Sequence, residues 1–367
     1  MEVMKARAAV VMNHRGDRPS STTAVYAALI GDILVAVRKA VAAVWTSSAS
    51  MMSEAIHSFV DTTNEILLLY GIHRSQQKAD ADHPFGYGRE IYFWSFVVSL
   101  LIFALGAGFS IYEGVSRFLN PVPIQSPVVS YVVLALAFIF EGGSWLFSLK
   151  QFRRAKGSLG FLKAFRLSKD PPSFMTLLED SVALLGILIA AAATVAAVAL
   201  RHPELDGAGS IAIGLILAAT SIFLARESKS LLIGEQAYPS IRESILAIAN
   251  AQPTCLRANG LFTVQLGPGQ VVAMLSLEFS DLMLAPQIEE AVISLEKRVH
   301  EENPEIIALF VKPQTAKTFQ DNLERSRDQA PPNQTLPVLH DSRRMASIDR
   351  LSDISPTGLM RRGVLHG

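Results

Sequence analysis

Residues 49–72 read ASMMSEAIHSFVDTTNEILLLYGI, an apolar run of membrane-span length interrupted by His57, Asp61, Asn64 and Glu65. A helix brings positions i and i+4 to one face, so His57 and Asp61 present an imidazole and a carboxylate to the same point. Ionisable groups are costly inside a bilayer and mark substrate or ion paths there. A second acidic pair, Glu179 and Asp180, interrupts another apolar run.

The surrounding chain has the composition of a membrane protein. Half of its 367 residues are hydrophobic, and the mean hydropathy of +0.31 is high for a soluble domain of this length. Six apolar segments stand out, at 22–45, 49–72, 91–117, 127–149, 174–200 and 207–226. Each approaches the roughly 20 residues that a helix needs to cross a lipid bilayer. Gly31, Gly106, Gly108, Gly209 and Gly214 lie within them and permit close helix contact.

Cations in the connections set an orientation. Arg74, Lys78 and Arg89 lie between the second and third segments; Lys150, Arg153, Arg154, Lys156, Lys163, Arg166 and Lys169 lie between the fourth and fifth. The alternate connections offer only Arg201, with Arg117 at a segment end. Positive-inside bias then puts both termini in the cytosol. Residues 1–21, with Lys5, Arg7, Arg15 and Asp17 around a short apolar patch, read as a cytosolic tail rather than a cleaved signal. Lys plus Arg equals Asp plus Glu at 33 each, so no nucleic-acid partner is implied. The single cysteine, Cys255, excludes an intrachain disulfide framework and a multi-thiolate metal centre.

After Glu227 the pattern becomes that of a soluble domain. It predicts a helix over 237–251, strands over 256–264 and 270–279 joined at Gly267-Pro268-Gly269, an amphipathic helix over 284–302 and a strand from Ile306 to Val311. That order suits a small α/β sandwich with its helices on one face of a short sheet. From 315 to 367 the chain is polar, with scattered Leu, and reads as disordered.

Neutral imidazole and ionised carboxylate are good ligands for zinc and similar divalent ions. His57 and Asp61 supply two ligands from one helix, and completing a tetrahedron needs donors from another. Glu179 and Asp180 are the candidates, about 100° apart around their helix. Asp180 is taken as the ligand, with Glu179 as a fourth ligand, its partner or a proton carrier. The plainer alternative is that His57 and Asp61 bond only to each other and hold helices together. Asp32 and Lys39 in the first segment and Glu141 in the fourth are candidates to line a cavity or relay protons. Asp32 has the alternative of pairing with Lys39 or Arg38, and Glu113 with Arg117, at i and i+4, suits a local ion pair.

These residues resemble the cation diffusion facilitators, in their ZnT9-like branch. The likeness runs through Ser53-Glu54-Ala55-Ile56-His57-Ser58 to Asp61, then His83-Pro84-Phe85-Gly86-Tyr87-Gly88-Arg89-Glu90, Leu177-Leu178-Glu179-Asp180 and Ser228-Lys229-Ser230-Leu231-Leu232-Ile233-Gly234-Glu235, covering about residues 22–312. The resemblance implies six transmembrane helices (22–226), a cytosolic ferredoxin-like dimerisation domain (227–314) and a homodimer that exports a divalent metal in exchange for protons. It makes His57 and Asp61 the second-helix metal pair and Asp180 the fifth-helix carboxylate. The usual fifth-helix histidine is absent, with Thr176 in its register, so the donor set is rich in oxygen. Zinc is the first expectation for the cargo, and manganese, iron, cobalt and nickel are also accommodated. Tyr87 replaces the second histidine of the family's loop motif, leaving Asp80, Asp82 and His83 as a weak second site or a structured loop packed by Phe85 and Tyr87.

Function expected on these grounds is metal–proton exchange by alternating access, not an enzyme, in a bacterial inner membrane. The rival is a non-transporting scaffold or regulator that keeps the fold with a degraded site. No His-Glu metalloprotease pattern supports an intramembrane hydrolase.

Overall fold

The computed structural model describes residues 22–328, except 125, 157–159, 162, 163 and 165–167. The tail expected over 1–21 and the stretch from 329 onward lie outside the described residues. The chain divides into two compact units.

Among the described residues, six helices of 25 to 30 residues build the first unit: α1 Thr22–Thr46, α2 Ala49–Ser75, α3 Glu90–Leu119, α4 Pro127–Lys156, α5 Pro171–Leu200 and α6 Glu204–Ile233. At 1.5 Å per residue even the shortest exceeds the ~30 Å hydrocarbon core of a bilayer. Among the described residues, four of them, α3 to α6, are both long and apolar enough to cross a membrane. That corrects the count of six apolar spans. Charge interrupts the apolar run in the other two: α1 carries Asp32, Arg38 and Lys39, and α2 carries Glu54, Asp61, Glu65 and Arg74.

Inside the bundle pack Leu68, Val98, Ile102, Leu134, Phe174, Ile187, Leu217 and Leu224. Phe59, Phe147, Leu188 and Ile222 stay exposed, a distribution suited to lipid contact. Glycine decides how closely α3 and α6 approach. A Cβ on Gly214 would stand 2.7 Å from Ile111 Cγ1, and one on Gly207 would stand 2.8 Å from the Gly114 carbonyl oxygen. Beside this seam α3 widens into a π-helical turn, Ile102–Ala107.

The start of α2 is held by a carboxylate from α6. Asp206, 4% exposed, accepts from Ser48 Oγ at 2.9 and 3.0 Å, from the Ala49 amide at 2.5 Å, from the Ser50 amide at 3.4 Å and from Ser50 Oγ. Ser48 Oγ in turn accepts from the Met51 amide at 3.2 Å and caps the helix. A negative charge at a helix N-terminus is favourable there, and every free amide of that turn gains a partner it would otherwise lack.

The second unit comprises α7 Pro239–Asn250, β1 Cys255–Gly267, β2 Gln270–Phe279, α8 Ala285–Glu302, β3 Ile306–Pro313 and α9 Ala316–Asp328. Sheet order is β1-β2-β3, and β3 runs parallel to β2 with Val272 opposite Ala308. A parallel neighbour requires a crossover, which α8 provides. Ile241, Ile245 and Ile248 of α7 and Leu295 and Val299 of α8 bury themselves with Leu261, Val271, Ala273, Leu275, Leu277 and Ile306 of the sheet. Gly269, at φ +68°, makes the turn between β1 and β2 in the left-handed region that glycine tolerates. The polarity of residues 316–328 was a sign of disorder in the sequence, yet they form α9. Phe319, 4% exposed, anchors that helix, and its ring lies 6.4 Å from Phe262.

Candidate metal site

A polar row runs down the buried side of α2 at helical spacing: Glu54, His57, Asp61 and Asn64. Glu54 and Asn64 are fully buried and His57 is 2% exposed. His57 Nδ1 lies 3.4 Å from Asp61 Oδ1, so the i, i+4 pair meets as the spacing requires. Both ring nitrogens of His57, both carboxylate oxygens of Glu54, Oδ1 of Asp61 and both amide atoms of Asn64 are buried with no hydrogen-bond partner among the described residues. Each such atom costs free energy unless something satisfies it.

The α5 carboxylates take different surroundings. Asp180 Oδ2 accepts from Ser144 Oγ at 3.2 Å and Ser148 Oγ at 2.9 Å, while the Trp145 indole donates to Ser181 Oγ at 2.9 Å, so this part of α5 is tied to α4. Glu179 has one buried oxygen, Oε1, without a partner among the described residues, and it acts electrostatically on Asp61. Among the described residues, no three His, Cys, Asp or Glu side chains converge closely enough to hold an ion as they stand.

The partners of one cation singled out in the sequence are settled only by the fold. Lys39 of α1, 1% exposed, donates to Ser58 Oγ at 2.7 Å and pairs with Glu54 at 3.6 Å and Glu141 of α4 at 3.5 Å. Glu141 therefore faces the Lys39 ammonium of α1. Arg38 points elsewhere, donating to the Leu34 carbonyl at 3.3 Å. Asp32 lies on α1, and its side chain is outside the described residues. Glu113 and Arg117 form the anticipated local ion pair at 2.9 Å.

The loop after α2 is closed around Asp80. Its carboxylate accepts from the Tyr87 hydroxyl at 2.6 Å and from the His83 and Asp82 amides at 2.7 and 3.1 Å, and the His83 and Tyr87 rings lie 4.2 Å apart. The Tyr87 hydrogen bond, then that of the His83 amide, holds the Asp80 carboxyl below its usual range, and the same contact pushes the Tyr87 phenol up. Asp80 is thus engaged in shaping the loop, with Asp82 and His83 exposed beside it.

The described bundle coincides with a known family domain. Residues 25–233 match the cation efflux transmembrane domain. The chain belongs to the cation efflux family. Among family members, the mitochondrial proton-coupled zinc antiporter SLC30A9 of Homo sapiens is 35% identical over 244 residues, 66% of this chain and 43% of that protein. Metal tolerance protein C4 of Arabidopsis thaliana is 35% identical over 193 residues, 52% of this chain and 42% of its own. This cation efflux chain thus spans less than half the length of either. The cation-efflux pump FieF of Cronobacter sakazakii is 25% identical over 291 residues, 77% of this chain and 91% of that one. The SLC30A9 relatives are mitochondrial by name, which overturns the expectation of a bacterial inner membrane; the integral-membrane character stands.

Proposed function

We propose that the protein is a secondary active transporter, not an enzyme, that exports a divalent metal cation in exchange for protons. The observation that carries this is the row of buried, unpartnered polar atoms on α2 within a bundle of the cation efflux family. An imidazole beside carboxylates suits zinc, and the excess of oxygen donors also admits manganese, iron, cobalt or nickel. Relatives named as a proton-coupled zinc antiporter and a cation-efflux pump support zinc first and protons as the counter-ion.

His57 and Asp61 supply two ligands, and Glu179 supplies the α5 donor, since Asp180 is already engaged by Ser144 and Ser148. Asp180 then steadies α5 against α4 rather than binding the cargo first. Metal ligands must shed protons to bind, so capture from the inward side releases protons. On the outward side, protonation of His57 or Glu179 weakens the site and lets the ion leave. Alternating access exposes one site to each face in turn. The Asp80 loop serves as a structured connection, not a second metal site. The C-terminal unit, with its β2-α8-β3 crossover and α7 on the sheet, is assigned as a ferredoxin-like module that joins two copies into a homodimer.

The rival scaffold role draws on Thr176, which stands where a histidine ligand is usual, and on the absence of three converging ligands among the described residues. Flux into proteoliposomes carrying a metal-sensitive dye, under an imposed pH gradient, decides between them. Gradient-dependent uptake of zinc, manganese, iron, cobalt or nickel is the expected result. Silence for all five would establish the scaffold.

A further inference from the structure

Lys39 occupies a place where an ammonium group is expensive. It is 1% exposed within a helical membrane bundle, beside Glu54, which is fully buried. Its Nζ is surrounded by oxygen from two further helices: Ser58 Oγ at 2.7 Å and Glu54 at 3.6 Å on α2, and Glu141 at 3.5 Å on α4. Two carboxylates and a hydroxyl about one positive charge form the kind of oxygen-rich cradle that would otherwise suit a hard or borderline metal ion. Ser58 is the chain neighbour of His57, so this cradle adjoins the proposed cargo site.

The backbone is shaped to admit the cluster. Gly186 of α5 lies directly against the Glu54 carboxylate, and a side chain there would collide with it. The ordinary account is a buried ion pair that holds helices together, but such pairs are poor sources of stability because desolvation offsets attraction. The pairing is also loose: neither oxygen of Glu54 has a hydrogen-bond partner among the described residues.

We propose that Lys39 is a specificity-determining residue whose tethered ammonium fills a second cation locus formed by Glu54, Glu141 and Ser58, confining the travelling divalent ion to the His57–Asp61 side. This rests on the transport function proposed above. Without Lys39, Glu54 and Glu141 would present two carboxylates with no ammonium between them, the charge that one further divalent ion balances. With it, one locus is permanently filled by a monovalent charge that cannot leave, and a single cargo ion is released without a second one competing for the same carboxylates.

Equilibrium dialysis of the purified full chain against zinc tests the idea. Lys39→Met is expected to bind about one more zinc per chain than the unaltered protein, and Lys39→Arg, which keeps the charge, to bind no more. Should Lys39→Met fail to fold, Lys39→Met/Asp61→Asn conserves the total charge. It is expected to bind one zinc more than Asp61→Asn alone. In Glu54→Gln the ammonium is less neutralised, and zinc affinity is expected to fall about tenfold or more. Unchanged stoichiometry in Lys39→Met, or in the double variant relative to Asp61→Asn, would overturn the proposal. Flux is a separate arm: a chain that binds zinc but carries none defeats the transport function, while the dialysis result still judges Lys39.

Discussion

Helix α2 carries two buried polar clusters within a few turns of each other, and they are treated in opposite ways. At its N-terminus the Asp206 carboxylate is surrounded by donors from Ser48, Ala49 and Ser50. Farther along, Glu54, His57, Asp61 and Asn64 hold buried nitrogens and oxygens with no hydrogen-bond partner among the described residues, and only ion pairs at 3.6 Å to Lys39 and 3.4 Å between His57 and Asp61. A satisfied cluster is an anchor, because removing it strands its partners. An unsatisfied one costs stability for as long as nothing is bound, and a fold retains such a cost where function needs the groups free.

The largest expected effect falls on the unsatisfied cluster. Asp61→Ala should lower metal flux in proteoliposomes by about a hundredfold or more, since loss of even a group that only supports a ligand costs about 10- to 100-fold, while leaving the thermal melting point in detergent unchanged or higher. A large drop in melting point would show that Asp61 is structural and erase the contrast. Asp206→Ala should do the reverse. It strands the α2 donors and should cost about 3 kcal/mol of stability, read as a lower melting point and poorer yield, with flux per folded molecule kept within a few fold.

A smaller effect tests steric support of the unsatisfied cluster. Gly186→Ala puts a methyl group against Glu54 and should reduce flux severalfold, whereas Ala at Gly108, where a Cβ would meet only the Phe103 carbonyl at 3.7 Å, should be neutral. Equal losses from both would mean that general helix packing, not the Glu54 environment, is being sensed.

The smallest effect concerns the loop. Asp80 is held below its usual carboxyl range chiefly by Tyr87, so its folded pKa lies under the unfolded value of about 3.9. The contribution is present above that value and fades as pH falls through the folded one. Tyr87→Phe should move the Asp80 titration upward, measurable by carbon NMR of labelled aspartate, and should change flux by less than about twofold. A strong loss of flux would return metal binding to this loop.

Much of this was legible in the chain. Because i and i+4 positions always meet on a helix, the His57 and Asp61 pairing follows from local spacing alone, as does the Glu113 and Arg117 pair. The strands and helices of the C-terminal unit were legible from alternation and turn residues, with β2 at 270–279 as expected. Residues 316–328 misled because their polarity hides one anchoring residue, Phe319, whose partner Phe262 lies on β1. The segments of α1 and α2 were counted with the other four as apolar spans, but their ionisable groups break the apolar run, and among the described residues only α3 to α6 are apolar enough to cross a membrane.

Local periodicity and hydropathy therefore determine the helices, the soluble extension and the half of the site that lies on a single helix, since those depend on near neighbours in the chain. Tertiary structure decides what faces that half. Lys39 against Glu54 and Glu141, Glu179 acting on Asp61 while Asp180 turns to Ser144 and Ser148, and Asp206 beneath α2 all join different helices. Sequence spacing carries no record of which faces of separate helices meet, because that is settled by close packing and by the cost of leaving a buried charge alone.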